Sequence, residues 1–415
     1  MSQVSLVIVG AGERGMTYAG FAEAFPERAK VVGVAEPREV YRERMAAAHD
    51  VPAEQVFADW REAAARPKFA DAVVIATPDR MHTEPAAAFA DLGYDILLEK
   101  PMATNEEECR QIVDAVYEND VLLAVCHVLR YTRYTQQLKE ILDSGAIGDL
   151  VGIERFEPVG FWHMAHSFVR GNWRREENSG PMLLTKSCHD LDWLYYMMGG
   201  AQCETVSSIG SLKHFRPEAA PEGAGDRCLT CEVEATCPFS AKRIYLEPAK
   251  AGHTAWPVKV LTPNPTPETV RDALETGPYG RCVYKCDNDV VDHQVVLMNF
   301  EGGRTVSFTM MAFTEMGHRR TRIFGTRGEL RGDGRFIDHY DFLTGETERI
   351  DTEAPAGSIL GGHGGGDFHL MDRFVQAVSE QDPDLILSGP ETSLASHRIV
   401  FGAERARKEQ QVVKL

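Results

Sequence analysis

VSLVIVGAGERG, residues 4–15, decides the reading of this chain. Val4 to Val9 is a short apolar run bounded by glycine, and it predicts a strand buried on both faces. Gly10, Gly12 and Gly15 follow at G-x-G-x-x-G spacing. In that pattern the first glycine allows a tight turn, the second lets backbone approach a pyrophosphate, and the third lets helix pack close to strand. The helix that follows presents free N–H groups and a positive dipole end to phosphates. A second apolar strand, Lys30 to Ala35, ends in Glu36. That acid lies about 20 residues past the glycines, where a carboxylate accepts ribose hydroxyls. Strand, glycine turn, helix, strand and acid together predict a dinucleotide site.

The remainder of the first part keeps the same rhythm. Asp71 to Ala76, Tyr94 to Leu98 and Val121 to Cys126 read as buried strands. Val40 to His49, His82 to Leu92 and Thr104 to Glu118 read as helices, the last with Thr104 as its cap. Alternation of this kind predicts a doubly wound parallel sheet over residues 1–128, with ligands beyond the carboxyl ends of the strands. After Arg130 the pattern changes. Val151 to Val159, Val206 to Lys213, His293 to Phe300, Thr305 to Ala312 and Arg320 to Phe324 read as strands of a large, mostly antiparallel sheet. Glu301 to Arg304 is a hairpin signal. Met182 to Met198 and Asp367 to Ser379 read as helices, the second preceded by a glycine loop, residues 361–366. The expectation is therefore an α/β chain: a Rossmann domain over 1–128 and an α/β domain over 129–415, with a Cys-rich insertion at about 213–290.

Composition narrows the partners. A net charge of −18 argues against nucleic acid, whose phosphates need a basic surface. No apolar run has the length of a membrane span, and the first strand begins at Val4, so a cytoplasmic protein is expected. Nine cysteines in a reducing compartment point to thiols or metal ligands before disulfides. Cys228-x2-Cys231-x5-Cys237 lies in the insertion, and Cys282-x3-Cys286 follows. This spacing suggests a closed, structural four-thiolate site formed by Cys228, Cys231, Cys237 and Cys282, with Cys286 as the alternative fourth ligand and zinc preferred to an iron–sulfur cluster. Buried thiols are the plainer reading. Cys109, Cys126, Cys188 and Cys203 are scattered and read as core residues.

Several motifs together resemble the Gfo/Idh/MocA oxidoreductases: GAGERG at 10–15, ATPDRMH at 76–82, EKP at 99–101, HDLD at 189–192 and FGTRGEL at 324–330. The resemblance covers nearly the whole chain. It implies NAD(P)-dependent oxidation of a sugar or polyol hydroxyl, or reduction of the matching ketone, by a homodimer or homotetramer joined through the open face of the second sheet. Lys100 then becomes the first catalytic candidate, hydrogen-bonding the reacting oxygen and relaying its proton. The bond to Pro101 can be cis in this family. His189 matches the histidine of the family's Asp-x-x-x-His pair, but Thr185 stands at the aspartate position. Lys186 could share the face of His189 and act as a substrate or proton-relay group, whereas Asp192 reads as structural.

Cofactor contacts are expected from Gly10, Gly12, Glu13, Arg14, Gly15, Glu36, Arg38, Thr77, Pro78, His82, Glu99, Lys100 and His127. Glu36 favours NAD over NADP, with Arg38 as the residue able to reverse this. Substrate contacts are expected from Arg130, His163, His166, Trp173, Arg174, Lys186 and His363, with Tyr131 weaker. Two other functions stay open on the sequence: an NAD-dependent glycosidase working by transient oxidation and elimination, and a non-catalytic cofactor sensor.

Overall fold

The computed structural model describes residues 2–353 and 362–415. Gly361, at the start of the glycine loop, lies outside the described residues. Six parallel strands form the first sheet: β1 (Val4–Val9), β2 (Ala29–Ala35), β3 (Val56–Phe57), β4 (Ala72–Ile75), β5 (Asp95–Leu98) and β6 (Leu123–Val125), in the order β3-β2-β1-β4-β5-β6. Every residue of β4, β5 and β6 is buried, as expected for strands covered by helices on both faces. The order reverses between β1 and β4, so their carboxyl ends open a crevice at the glycine turn.

The second sheet has nine strands: β7 (Leu150–Pro158), β8 (Cys203–Ser211), β9 (His293–Phe300), β10 (Arg304–Met311), β11 (Arg320–Gly325), β12 (Gly328–Gly332), β13 (Phe336–Asp341), β14 (Thr347–Asp351) and β15 (Val413–Lys414). Only β7 and β10 pair in parallel. Residues 301–303 turn β9 into β10 as the hairpin signal predicts. One face packs on helices, among them Pro390–Glu409 against β8. On the other face Ile209, Val295 and Leu297 are exposed. The helix Gly366–Glu380 returns to the first sheet and buries Leu370, Met371 and Phe374 in the cluster that holds Val4, Leu6 and Ile8. Among the described residues no helix is long and apolar enough to cross a membrane.

Two local expectations are corrected. The cap of the helix Glu106–Glu118 is Asn105, whose side chain accepts the Glu108 N–H at 2.9 Å, while Thr104 donates to the Glu108 carboxylate. Met182 to Met198 is not one helix. It breaks at Lys186 and Ser187 into Met182–Thr185 and Cys188–Met197. The break turns the Thr185 carbonyl onto Lys100 Nζ at 2.9 Å, a partner a continuous helix would deny it.

Candidate active site

The glycine turn sits at the sheet's switch point. Gly10 has φ +94°, and a Cβ there would stand 2.6 Å from the Ala76 carbonyl oxygen. A Cβ on Gly15 would stand 2.0 Å from the Gly10 carbonyl oxygen, so the helix Glu13–Ala24 approaches β1 only because residue 15 is glycine. Gly15→Ala is therefore expected to destabilise the fold by about 1–3 kcal/mol through overpacking and to weaken dinucleotide binding. Thermal denaturation with a parallel NAD titration checks this; wild-type values for both would show that the close approach is dispensable.

Glu36 ends β2 as a buried carboxylate. It accepts the Ala11 N–H at 2.9 Å, and Arg38 donates through its backbone N–H at 3.0 Å and Nε at 2.7 Å. Burial alone would raise the Glu36 carboxyl, but the Arg38 contacts hold it below the usual carboxylate range. Arg38 also lies over the Tyr41 ring at 4.2 Å. Glu13 points outward and pairs with Lys259 of the insertion at 2.6 Å. Arg14 bridges Glu99 and Asp367, each at 2.5 Å. Thr77 Oγ1 donates to the Met81 carbonyl across the turn that contains Pro78. His82 is fully buried, with its ring nitrogens on the Pro101 and Thr77 carbonyls at 2.8 and 3.0 Å. Its ring thus ties two strand-end loops together and has no nitrogen left for a cofactor.

Lys100 lies past the end of β5, in a cis bond to Pro101. Glu99 is buried beneath it and receives Arg14, the Tyr18 hydroxyl at 2.8 Å and the Lys100 N–H at 2.6 Å. His189 is buried, and its Nδ1 has no hydrogen-bond partner among the described residues. Burial pushes the His189 imidazole well below its ordinary range, and the charges of Lys100, His363, His127 and Arg319 add to this. A neutral imidazole is the form that takes up a proton. His363 stands 5.8 Å from His189, centroid to centroid, with Nδ1 on Asp367 at 3.0 Å. Thr185 does not replace the aspartate, because its hydroxyl faces back toward the Pro181 carbonyl. Asp79 brings a carboxylate close enough for the Lys100 charge to act on it. Burial pushes the Asp79 carboxyl up, while Trp173 Nε1 donates to it at 2.9 Å.

Several predicted contacts fall elsewhere. Arg130 is fully buried, and Asp192 takes its fork at 2.6 and 2.7 Å, so it does not reach a substrate. This also gives Asp192 the structural place expected of it. His127 is buried between His189 at 6.2 Å and His397 at 5.4 Å, with Nε2 3.5 Å from Asp192. Burial holds His127 down at about 3. Such a ring is closed off from a cofactor. Tyr131 is likewise buried, bonded to Ser388. His166 stacks on Tyr279 at 5.0 Å and gives Nδ1 to the Tyr245 hydroxyl, a packed position. Arg174 turns away to Asp287 at 3.0 Å. His163 and Lys186 do meet the cleft wall, where the Lys186 charge bears on the His163 ring. Lys186 pairs with Glu157 at 2.8 Å. Sequence reasoning missed Asp79, Glu157, Arg319 and Trp256, the last packed on His163 at 5.1 Å from inside the insertion.

The zinc expectation gains no support. Cys228, Cys231, Cys237 and Cys282 do line one cavity of about 20 Å³. Yet among the described residues no three His, Cys, Asp or Glu side chains are grouped so as to hold a metal ion. The thiols are engaged separately: Cys228 Sγ accepts from Arg170 at 3.4 Å and Cys231 Sγ from the Gly225 N–H at 3.3 Å. Cys286 Sγ donates to the Cys282 carbonyl at 3.2 Å. Burial raises the thiols of Cys237, Cys282 and Cys286 above their ordinary range.

Comparison with known proteins agrees with this geometry. Residues 4–127 match the family model described as an oxidoreductase family with an NAD-binding Rossmann fold. Residues 139–415 match that family's C-terminal alpha/beta domain. YteT of Bacillus subtilis (strain 168), an oxidoreductase by assignment, is 23% identical over 83% of this chain and 81% of its own length. Levoglucosan dehydrogenase of Pseudarthrobacter phenanthrenivorans is 32% identical over 55% of this chain and 59% of its own. A solved structure of levoglucosan dehydrogenase with NADH and levoglucosan superposes with a TM-score of 0.72 at 17% identity, covering 99% of each chain. With both of its domain models matched over most of its length, the chain belongs to the Gfo/Idh/MocA oxidoreductase family.

Proposed function

We propose that the chain is an NAD-dependent dehydrogenase acting on a hydroxyl-bearing carbon of a carbohydrate-like substrate. One observation carries this reading: Lys100 Nζ, fixed on the Thr185 carbonyl past a strand end, is close enough for its charge to act on the buried His189 ring, whose Nδ1 has no partner among the described residues. The glycine cradle and Glu36 fit a dinucleotide, and the bound nicotinamide would supply hydride acceptance. Lys100 Nζ hydrogen-bonds the substrate hydroxyl oxygen and relays its departing proton onward. His189, kept neutral by burial, serves as the acceptor for that proton. Glu99 holds the Lys100 backbone in place. The exposed Ile209, Val295 and Leu297 support a homo-oligomer joined through the open sheet face. NAD reduction across a panel of sugars, polyols and glycosides, with glycoside cleavage monitored in parallel, tests the reading. Cleavage without net NADH would favour transient oxidation, and neither reaction across the panel would overturn the enzyme assignment.

NAD is expected to bind at least about tenfold more tightly than NADP, a difference of about 1.4 kcal/mol. Glu36 is held ionised and would repel a 2′-phosphate, and Arg38 already spends its guanidinium on Glu36. Titration of both dinucleotides checks this, and tighter NADP binding would reverse the assignment.

A further inference from the structure

The wall of the cleft next to His189 carries more positive than negative charge. Lys186 Nζ lies 2.8 Å from Glu157, and Arg319 Nε lies 2.6 Å from Glu157 and 3.0 Å from Asp190. Behind them Arg155 pairs with Asp190 at 2.9 Å. Three cations thus share two carboxylates, which leaves one positive charge over. The arrangement is also layered. The side chains of Glu157, Asp190 and Arg155 are 3%, 0% and 3% exposed, whereas Lys186 and Arg319 keep 16% and 18%. What the network offers outward is therefore cationic, and its carboxylates are used up behind. Lys186 follows Thr185, whose carbonyl holds Lys100 Nζ at 2.9 Å, and Asp190, a partner of Arg319, follows His189, so the pair lies beside the reaction centre. Trp256 covers His163 and is 38% exposed, adding an apolar surface beside the charge.

We infer that the substrate carries a carboxylate, an acidic sugar or polyol acid, which Lys186 and Arg319 receive while its hydroxyl meets Lys100 and His189. This rests on the dehydrogenase reading above and names the substrate class of that site. A partly desolvated pair of cations gives charge-assisted hydrogen bonds to an anion. A neutral sugar would cover the surplus charge without matching it. Burial pushes the Lys186 ammonium below its ordinary range, with Glu157 opposing this. Binding of the acid should therefore weaken as pH rises and Lys186 loses its proton.

Calorimetric titration of the NADH-loaded protein with D-glucuronate, D-galacturonate and D-gluconate, each against its uncharged amide, tests the inference. At least one acid should bind about tenfold or more tightly than its amide. Lys186→Met should remove that ratio, and Lys186→Arg should restore most of it. Arg319 still pairs with Glu157 in Lys186→Met, so no buried carboxylate is stranded. Should Lys186→Met fail to fold, Lys186→Gln carries the same comparison. Equal affinity for acid and amide, no binding of any acid, or a preference that survives Lys186→Met or its stand-in Lys186→Gln would overturn the inference. The two readings fail separately. NAD reduction by neutral polyols with no acid preference would leave the dehydrogenase standing and remove the acidic substrate. Loss of NAD binding or of all turnover would strike the dehydrogenase itself.

Discussion

Lys100→Met is expected to fold, to bind NAD as the wild type does, and to lose about two to four orders of magnitude in kcat, the usual range for removing one proton-transfer group. The amine is anchored on the Thr185 carbonyl, with its remaining hydrogens free for a substrate oxygen. Methionine keeps the length and apolar stem but donates nothing. Glu99 keeps Arg14 and the Tyr18 hydroxyl, while Asp79 loses the Lys100 charge and keeps the Trp173 bond, so its carboxyl should rise further. Stopped-flow hydride transfer with dinucleotide titration separates the two effects. A kcat within about threefold of wild type would take the proton role from Lys100 and leave His189 or Asp79 to carry it.

How far the sequence was legible follows from which forces shaped each part. The first sheet was readable because its strands are buried on both faces, so each shows as an unbroken apolar run. Val4–Val9 falls where it was expected, and β2, β4 and β5 differ by a residue or two at their ends. The two-residue β3 was too short to show. In the second sheet, β12, β13 and β14 were missed for another reason. Each gives the core a single aliphatic side chain, Leu330, Ile337 and Ile350, among polar and charged neighbours, so no apolar alternation shows in the sequence. Residues of that kind read as loop.

The site divides the same way. Lys100 and Glu36 stood out because motif and strand end coincide, and His189 because it lies in the HDLD stretch at a helix start. Glu157 and Arg319 gave no signal, since a lone charged residue is usually solvated and only the fold brings these together, while Asp79 stood inside ATPDRMH without being singled out. Arg130 and Arg174 misled in the opposite direction. An arginine after a strand or in an aromatic loop suggests ligand binding, yet each is claimed by a carboxylate far along the chain, Asp192 and Asp287. The cysteine spacing did foretell a shared cavity, but spacing carries no information on whether thiols converge.

Asp192→Ala is expected to destabilise the protein by about 3–5 kcal/mol, because it leaves a buried guanidinium without its counterion. Arg130 and Asp192 side chains are 2% and 1% exposed, and two hydrogen bonds of 2.6 and 2.7 Å join them. Ser396 donates a further bond to Asp192 at 2.9 Å, and the Arg130 guanidinium lies 5.1 Å from the Tyr196 ring centre. Burial alone would raise the Asp192 carboxyl, but Arg130 and His127 hold it below its ordinary range. A lowered carboxylate contributes stability that is present above its unfolded pKa and lost as pH falls through the folded one. The gap between wild type and variant should therefore be full at neutral pH and narrow only below about pH 4. Replacing both partners, Arg130→Leu with Asp192→Leu, should recover much of the loss, since paired apolar groups need no counterion. Denaturant titrations of the single and double variants at pH 7 and pH 4 decide the matter. A loss in Asp192→Ala below about 1 kcal/mol, the size of an exposed pair, would mean that water reaches this ion pair and that Arg130 is open to the cleft after all.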